Sequence, residues 1–262
     1  MIRSRLMSVV SCVAVSIVLG GCVTETTGRV QSEEQPGEAS DLNVQLGVGY
    51  LRQGDLNSAQ EKLEKAIELN PDNVTAHRVL GLVYERLGDL DGAERYYRRA
   101  VSLAPRDPEA LNSLAVFLCR SDATHKEALK MFNRAIAVPQ STQFSNKAML
   151  NTNAGVCAES RDLALAEEYL RRALAFDNRY PAALLEIGDV SFQRQNYLQA
   201  RAFLQRYSSV ASVSPSFLWL SYQVETALGD TRAAAGYARD LREKFPESVE
   251  MRLLLESEHD AG

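Results

Sequence analysis

Histidine and cysteine, the side chains best suited to metal binding and nucleophilic chemistry, occur at seven positions: His77, His125, His259, Cys12, Cys22, Cys119 and Cys157. None lies at a spacing from which neighbours in sequence could assemble a zinc site. The chain contains no glycine-rich phosphate loop, no Gly-x-Ser-x-Gly turn and no His-Glu-x-x-His helix. The adjacent carboxylates Glu167 and Glu168 stand at helix-surface spacing and read as solvated groups, not as an acid and base pair. No catalytic residue, metal site or cofactor is expected, so the reading is that of a non-enzyme. A net charge of -5 and a pI near 5.4 also lack the basic surface that duplex nucleic acid requires. The elements that position these residues are mainly helical, because the chain is 45% hydrophobic, 24% charged and only 7% aromatic, with modest glycine and proline. At 262 residues it stands near the size where one compact core stops growing and a chain divides or repeats.

Residues 1–22 have the organisation of an export signal. Arg3 and Arg5 open it, Leu6 to Leu19 form an apolar run, and Leu19-Gly20-Gly21-Cys22 closes it. The run is short of the roughly 20 residues that span a bilayer. Its ending resembles a bacterial lipobox, in which the cysteine is acylated and becomes the first mature residue. An ordinary signal peptide with an incidental cysteine is the alternative. Val23 stands where that resemblance would place Asp in an inner-membrane lipoprotein, which favours the periplasmic face of the outer membrane. Residues 23–39 are polar, carry Pro36 and no apolar period, and read as a flexible tether. Loss of Arg3 and Arg5 would move the net charge from -5 to -7, so acyl chains and not attraction to anionic lipid would hold the protein to a membrane.

From residue 40 the sequence repeats. Residues 40–73 and 74–107 align without a gap, matching Leu46, Gly47, Tyr50, Ala59, Leu63, Ala66 and Pro71 to Leu80, Gly81, Tyr84, Ala93, Tyr97, Ala100 and Pro105. Ala59, Leu63 and Ala66 line one helix face, as do Ala93, Tyr97 and Ala100. Gly47 and Gly81 let a preceding helix approach that face. Gly54-Asp55 and Gly88-Asp89 suit the turn between the two helices. Less regular copies follow at 108–141, 147–180, 181–214 and 215–248. The third has an insertion near Thr124, and a short loop, 142–146, precedes the fourth. In the sixth, Tyr222 takes the position held by a small residue elsewhere, which predicts a splayed helix pair. Residues 249–258 place Met251, Leu254 and Leu255 on one side of a capping helix.

This pattern resembles the tetratricopeptide repeat (TPR). The resemblance implies an all-α, right-handed superhelical solenoid of six helix-turn-helix repeats plus the C-terminal cap, with a protein-binding groove on the inner face of the first helices. The family's groove positions fall on Val44, Val48, Leu51, Arg78, Leu82 and Arg86 in the first two repeats. In the third and fourth they fall on Asn112, Val116, Arg120, Asn151 and Gly155, and in the last two on Leu185, Asp189, Phe192, Trp219 and Gln223. Asn112 and Asn151 could hold a partner's backbone or else be solvated or bonded between helices. Trp219 reads as a packing residue more than a hot spot, and His77 falls where a large packing side chain is expected. Cys119 and Cys157 come near the ends of first helices in adjacent repeats, which predicts a disulfide in an oxidising compartment. Two buried free thiols are the alternative, since packed helix axes stand 8 to 10 Å apart.

The lipobox, the tether and the stretches LGVGYLRQGDLNSAQEKLEKAIELNPDN, ALNSLAVFLC and ALLEIGDVSFQRQNYLQARAFLQRY together resemble the type IV pilus biogenesis and stability lipoproteins. That resemblance implies a pilotin, which binds secretin subunits and promotes their outer-membrane localisation and assembly. The competing reading is a TPR lipoprotein adaptor that gathers periplasmic proteases or peptidoglycan hydrolases.

Overall fold

A computed structural model describes residues 36–139 and 146–260. The proposed signal, Cys22 and residues 23–35 of the proposed tether lie outside the described residues, as does most of the loop before the fourth repeat. Among the described residues the chain forms thirteen α-helices and no strand. Twelve pair as antiparallel neighbours: α1 (Pro36–Gln53) with α2 (Leu56–Leu69), α3 (Val74–Leu87) with α4 (Leu90–Leu103), and α5 (Pro108–Leu118) with α6 (His125–Ala137). The series continues with α7 (Lys147–Glu159) and α8 (Leu163–Phe176), α9 (Pro181–Gln193) and α10 (Tyr197–Ser208), and α11 (Pro215–Ala227) and α12 (Thr231–Lys244). The last helix, α13 (Val249–Asp260), packs on the final pair. The helix α1 begins at Pro36, so residues 36–39, read as the end of the tether, are helical.

Local chemistry sets the helix starts. Asp55, Asn73, Asp89, Asp107, Asn146, Asp162, Ser214 and Asp230 each cap a helix by accepting a backbone N–H from its first turn. Gly54, Gly88 and Gly229 turn the chain between paired helices at φ of 81°, 85° and 77°, a region that costs other residues strain.

The pairs close on a recurring contact of small against large. A Cβ on Gly47 would stand 2.7 Å from Leu63, one on Gly81 2.9 Å from Tyr97, and one on Gly155 2.7 Å from Leu170. Gly188 meets Leu204 in the same way, at 3.2 Å. In the third pair Ala115 and Phe132 are both fully buried. The sixth pair exchanges the volumes: Tyr222 is the large residue, and Ala238 stands where the others carry leucine or an aromatic. Ala238 and Leu241 are buried, so this pair closes without the splay that Tyr222 alone suggested. In α13 Met251 and Leu254 are buried, whereas Leu255, expected on the same side, is exposed.

Candidate protein-binding groove

The first helices of each pair supply one continuous face. Val48, Arg78, Leu82 and Asn112 are half-buried there, and Val116 is 39% exposed. Arg78 pairs with Glu109 of the next repeat at 2.9 Å, and Asn112 accepts a hydrogen bond from Asn153 Nδ2 at 3.0 Å. Asn112 is therefore engaged between helices. Val44 and Leu51, expected in the groove, are buried core residues instead.

Asn151 and Gly155 are also core and not groove. Asn151 is fully buried, its Nδ2 donating to the Lys147 carbonyl at 2.8 Å, and Gly155 packs against Leu170 on α8. The physical reason is a one-residue change of register. Gly155 stands one residue closer to Ala166 than Gly47 does to Ala59, Gly81 to Ala93 or Gly188 to Ala200. The turn after α7 is thus one residue shorter than its counterparts, and the groove residue of the fourth repeat is Val156, 46% exposed.

Val116 and Val156 flank a cavity of about 260 Å³, floored by Phe132 and by Cys119 and Cys157, with Arg120 and Asn153 at its edge. In the structure the two sulfurs are bonded and the Cα atoms stand 5.7 Å apart, within the span a bridge requires. His125 Nδ1 lies 3.9 Å from Cys157 Sγ, and burial pushes its pKa down, with Arg161 adding to the effect. The fold thus gathers Cys119, His125 and Cys157, with donor atoms within 4.8 Å of one another, a set that sequence spacing gave no sign of. With the sulfurs joined to each other, neither is available as a thiolate ligand. His77 is buried, as its packing position implied, and its Nε2 donates to the Pro71 carbonyl at 2.8 Å.

A second contact links some repeats to the one before, from a position that holds Arg86, Arg120 and Gln193 but Ser160 and Ala227 in the fourth and sixth repeats. Arg86 donates to the Leu51 carbonyl at 3.4 Å, and Arg120 pairs with Glu85 at 2.5 Å. At the equivalent place in the fifth repeat stands Gln193, which bonds to Glu159 and to Asp189. Beyond it another cavity of about 260 Å³ opens between Leu185, Glu186 and Asp189 on α9 and Ser216, Trp219 and Gln223 on α11. Trp219 is half-buried and stacks on Tyr222 with ring centroids 5.5 Å apart. Burial and the Asp189 charge push the Glu159 carboxyl up to about 7, and the same two causes raise that of Glu186.

The tetratricopeptide repeat family model matches residues 44–108 and 86–143. Over 237 residues, 90% of this chain and 92% of the relative, the sequence is 26% identical to the type IV pilus assembly protein PilF of Pseudomonas aeruginosa. The crystal structure of PilW, a widely conserved type IV pilus biogenesis factor, is 29% identical and superposes with a TM-score of 0.74, covering 82% of this chain and 98% of that one. The chain is homologous to PilF and PilW. The structure of P. aeruginosa PilF agrees, with a TM-score of 0.71 over 85% of this chain and 99% of its own. The array is therefore a TPR solenoid that resembles PilF and PilW.

Proposed function

We propose that this chain is a pilotin: a lipoprotein anchored through Cys22 to the periplasmic face of the outer membrane, which binds secretin subunits there and promotes their localisation and multimerisation. The observation that carries the reading is the likeness to two pilus biogenesis proteins along almost the whole repeat array. Its mechanism is tethered recognition. A groove held at the membrane surface raises the effective concentration of a captured subunit there, without any new contact. The Cys119–Cys157 bridge is part of the proposal, holding the third and fourth repeats together beneath the Val116 and Val156 cavity in an oxidising compartment.

Deleting the gene tests the reading directly: secretin multimers and surface pili should both disappear and return with the intact gene. Intact multimers in the deletion strain contradict the pilotin assignment. Cys22→Ser should abolish incorporation of labelled fatty acid and release the protein from outer-membrane fractions. Retained label or an unchanged membrane fraction refutes the anchor.

A further inference from the structure

We propose that the inner face of the fourth to sixth repeats receives an arginine side chain from the docking segment of the bound protein, its guanidinium seated among Glu159, Glu186 and Asp189 with Trp219 alongside. The inference deepens the reading of this array as a protein-binding scaffold by naming the chemistry of the segment it binds.

The argument begins from the contact that recurs between repeats. In the second and third repeats an arginine, Arg86 or Arg120, reaches back to the preceding repeat, and Arg120 neutralises Glu85. The equivalent residue in the fifth repeat is neutral Gln193, so Glu159 receives a hydrogen bond from this position but no charge. Other half-buried carboxylates on the array have cationic neighbours, Glu167 pairing with Arg171 and Arg194 and Glu85 with Arg120. Glu159, Glu186 and Asp189 make no ion pair among the described residues, although they converge closely enough for burial and the Asp189 charge together to raise the proton affinity of Glu159 and Glu186. Glu186 and Asp189 thus line the open cavity without an ion pair, and Glu159 of α7 stands beside Asp189 at Gln193, where the second and third repeats carry an arginine.

The cavity's shape selects among cations. Its walls are Leu185 and Trp219, apolar surfaces that suit the faces of a planar, weakly hydrated group, while Glu186, Asp189, Ser216 and Gln223 supply acceptors around them. A guanidinium offers five donors in a planar fork and is weakly hydrated on its faces, whereas an ammonium is a compact, strongly hydrated centre with three. The apolar cavity at Val116 and Val156 lies in the neighbouring third and fourth repeats. A segment bearing an apolar side chain and an arginine would therefore engage both.

Trp219 is the chain's single tryptophan and lines the cavity, so its emission reports occupancy without a label. The probe is a short alanine and leucine peptide carrying two arginines, titrated into the full chain in detergent at low salt. The control is the same peptide with neutral, isosteric citrulline. The arginine peptide should change Trp219 emission saturably and bind at least tenfold more tightly than the citrulline peptide. That preference should vanish in E186Q/D189N. A second variant, Gln193→Arg, restores the residue of the second and third repeats and should fill the site from within, weakening the arginine peptide at least tenfold while the melting temperature holds or rises. No saturable emission change, equal response to both peptides, or a preference that survives E186Q/D189N or Gln193→Arg overturns the proposal. The gene-deletion result for secretin multimers leaves these titrations unaffected, so the two readings fail separately.

Discussion

His77 occupies the first-helix position that Leu111 and Leu184 fill in the third and fifth repeats, and Asn151 holds it in the fourth. Each polar substitute leaves a buried atom, His77 Nδ1 or Asn151 Oδ1, without a hydrogen-bond partner. Burial lowers the His77 pKa, so the folded state disfavours the imidazolium. A depressed histidine pKa contributes stability that is present above the unfolded value near 6.5 and is lost as pH falls through the folded one. His77→Leu should therefore flatten the dependence of melting temperature on pH between about 7 and 5; an unchanged pH profile would count against this origin. Glu159 has the opposite sign, because a raised carboxyl pKa favours folding at low pH and that contribution is lost as pH rises through about 7. Glu159→Gln should raise stability at pH 8 by about 1 kcal/mol, a figure reduced for solvent screening at a half-exposed group, and leave it unchanged near pH 5. Thermal melts at the two pH values decide the matter.

At the scale of the helix pair, the determining quantity is the summed volume of two facing residues. Gly155→Leu should cost about 1 to 3 kcal/mol by overpacking against Leu170, whereas Val156→Asp, one residue along, should leave the melt unchanged and weaken partner binding. If both variants melt alike, the fourth repeat's register is not the one described. In the sixth pair, Tyr222→Gly and Ala238→Leu should each destabilise, and the double variant should recover about 1 to 2 kcal/mol relative to their sum. Strict additivity would refute the volume exchange. Ala93→Arg should cost more than about 3 kcal/mol, because it forces an unpaired charge between packed helices where Ala93 is fully buried; a retained helical signal and melting temperature would be incompatible with that placement.

At the scale of the molecule, the architecture was legible because one pattern recurs: Gly47, Ala59 and Leu63 return as Gly81, Ala93 and Tyr97. The groove was less legible, since its residues follow by counting from those landmarks and the count slips by one where the α7 turn loses a residue. Val48, Arg78, Leu82, Asn112 and Val116 were reachable by counting, but Asn151 and Gly155 took the places of Thr152 and Val156. The convergence of Glu159 with Glu186 and Asp189 depends on the same shifted register and on stacking between repeats, neither of which composition or local spacing encodes. Tyr222 misled when read alone because the compensating residue, Ala238, lies on the opposite helix.

Among the described residues the buried apolar side chains fall into two groups, one from Val44 to Val83 and one from Ala93 to Leu254. The two groups meet within the second repeat, where Leu82 and Tyr84 of α3 pack against both. A linear array opens by segments when neighbouring units are weakly joined, and the smaller group has fewer partners to lose. Amide protons in α1 to α3 should therefore exchange together and sooner than those of α5 to α11. The first repeat would then be the part of the array that yields first under load, while the larger group keeps its packing.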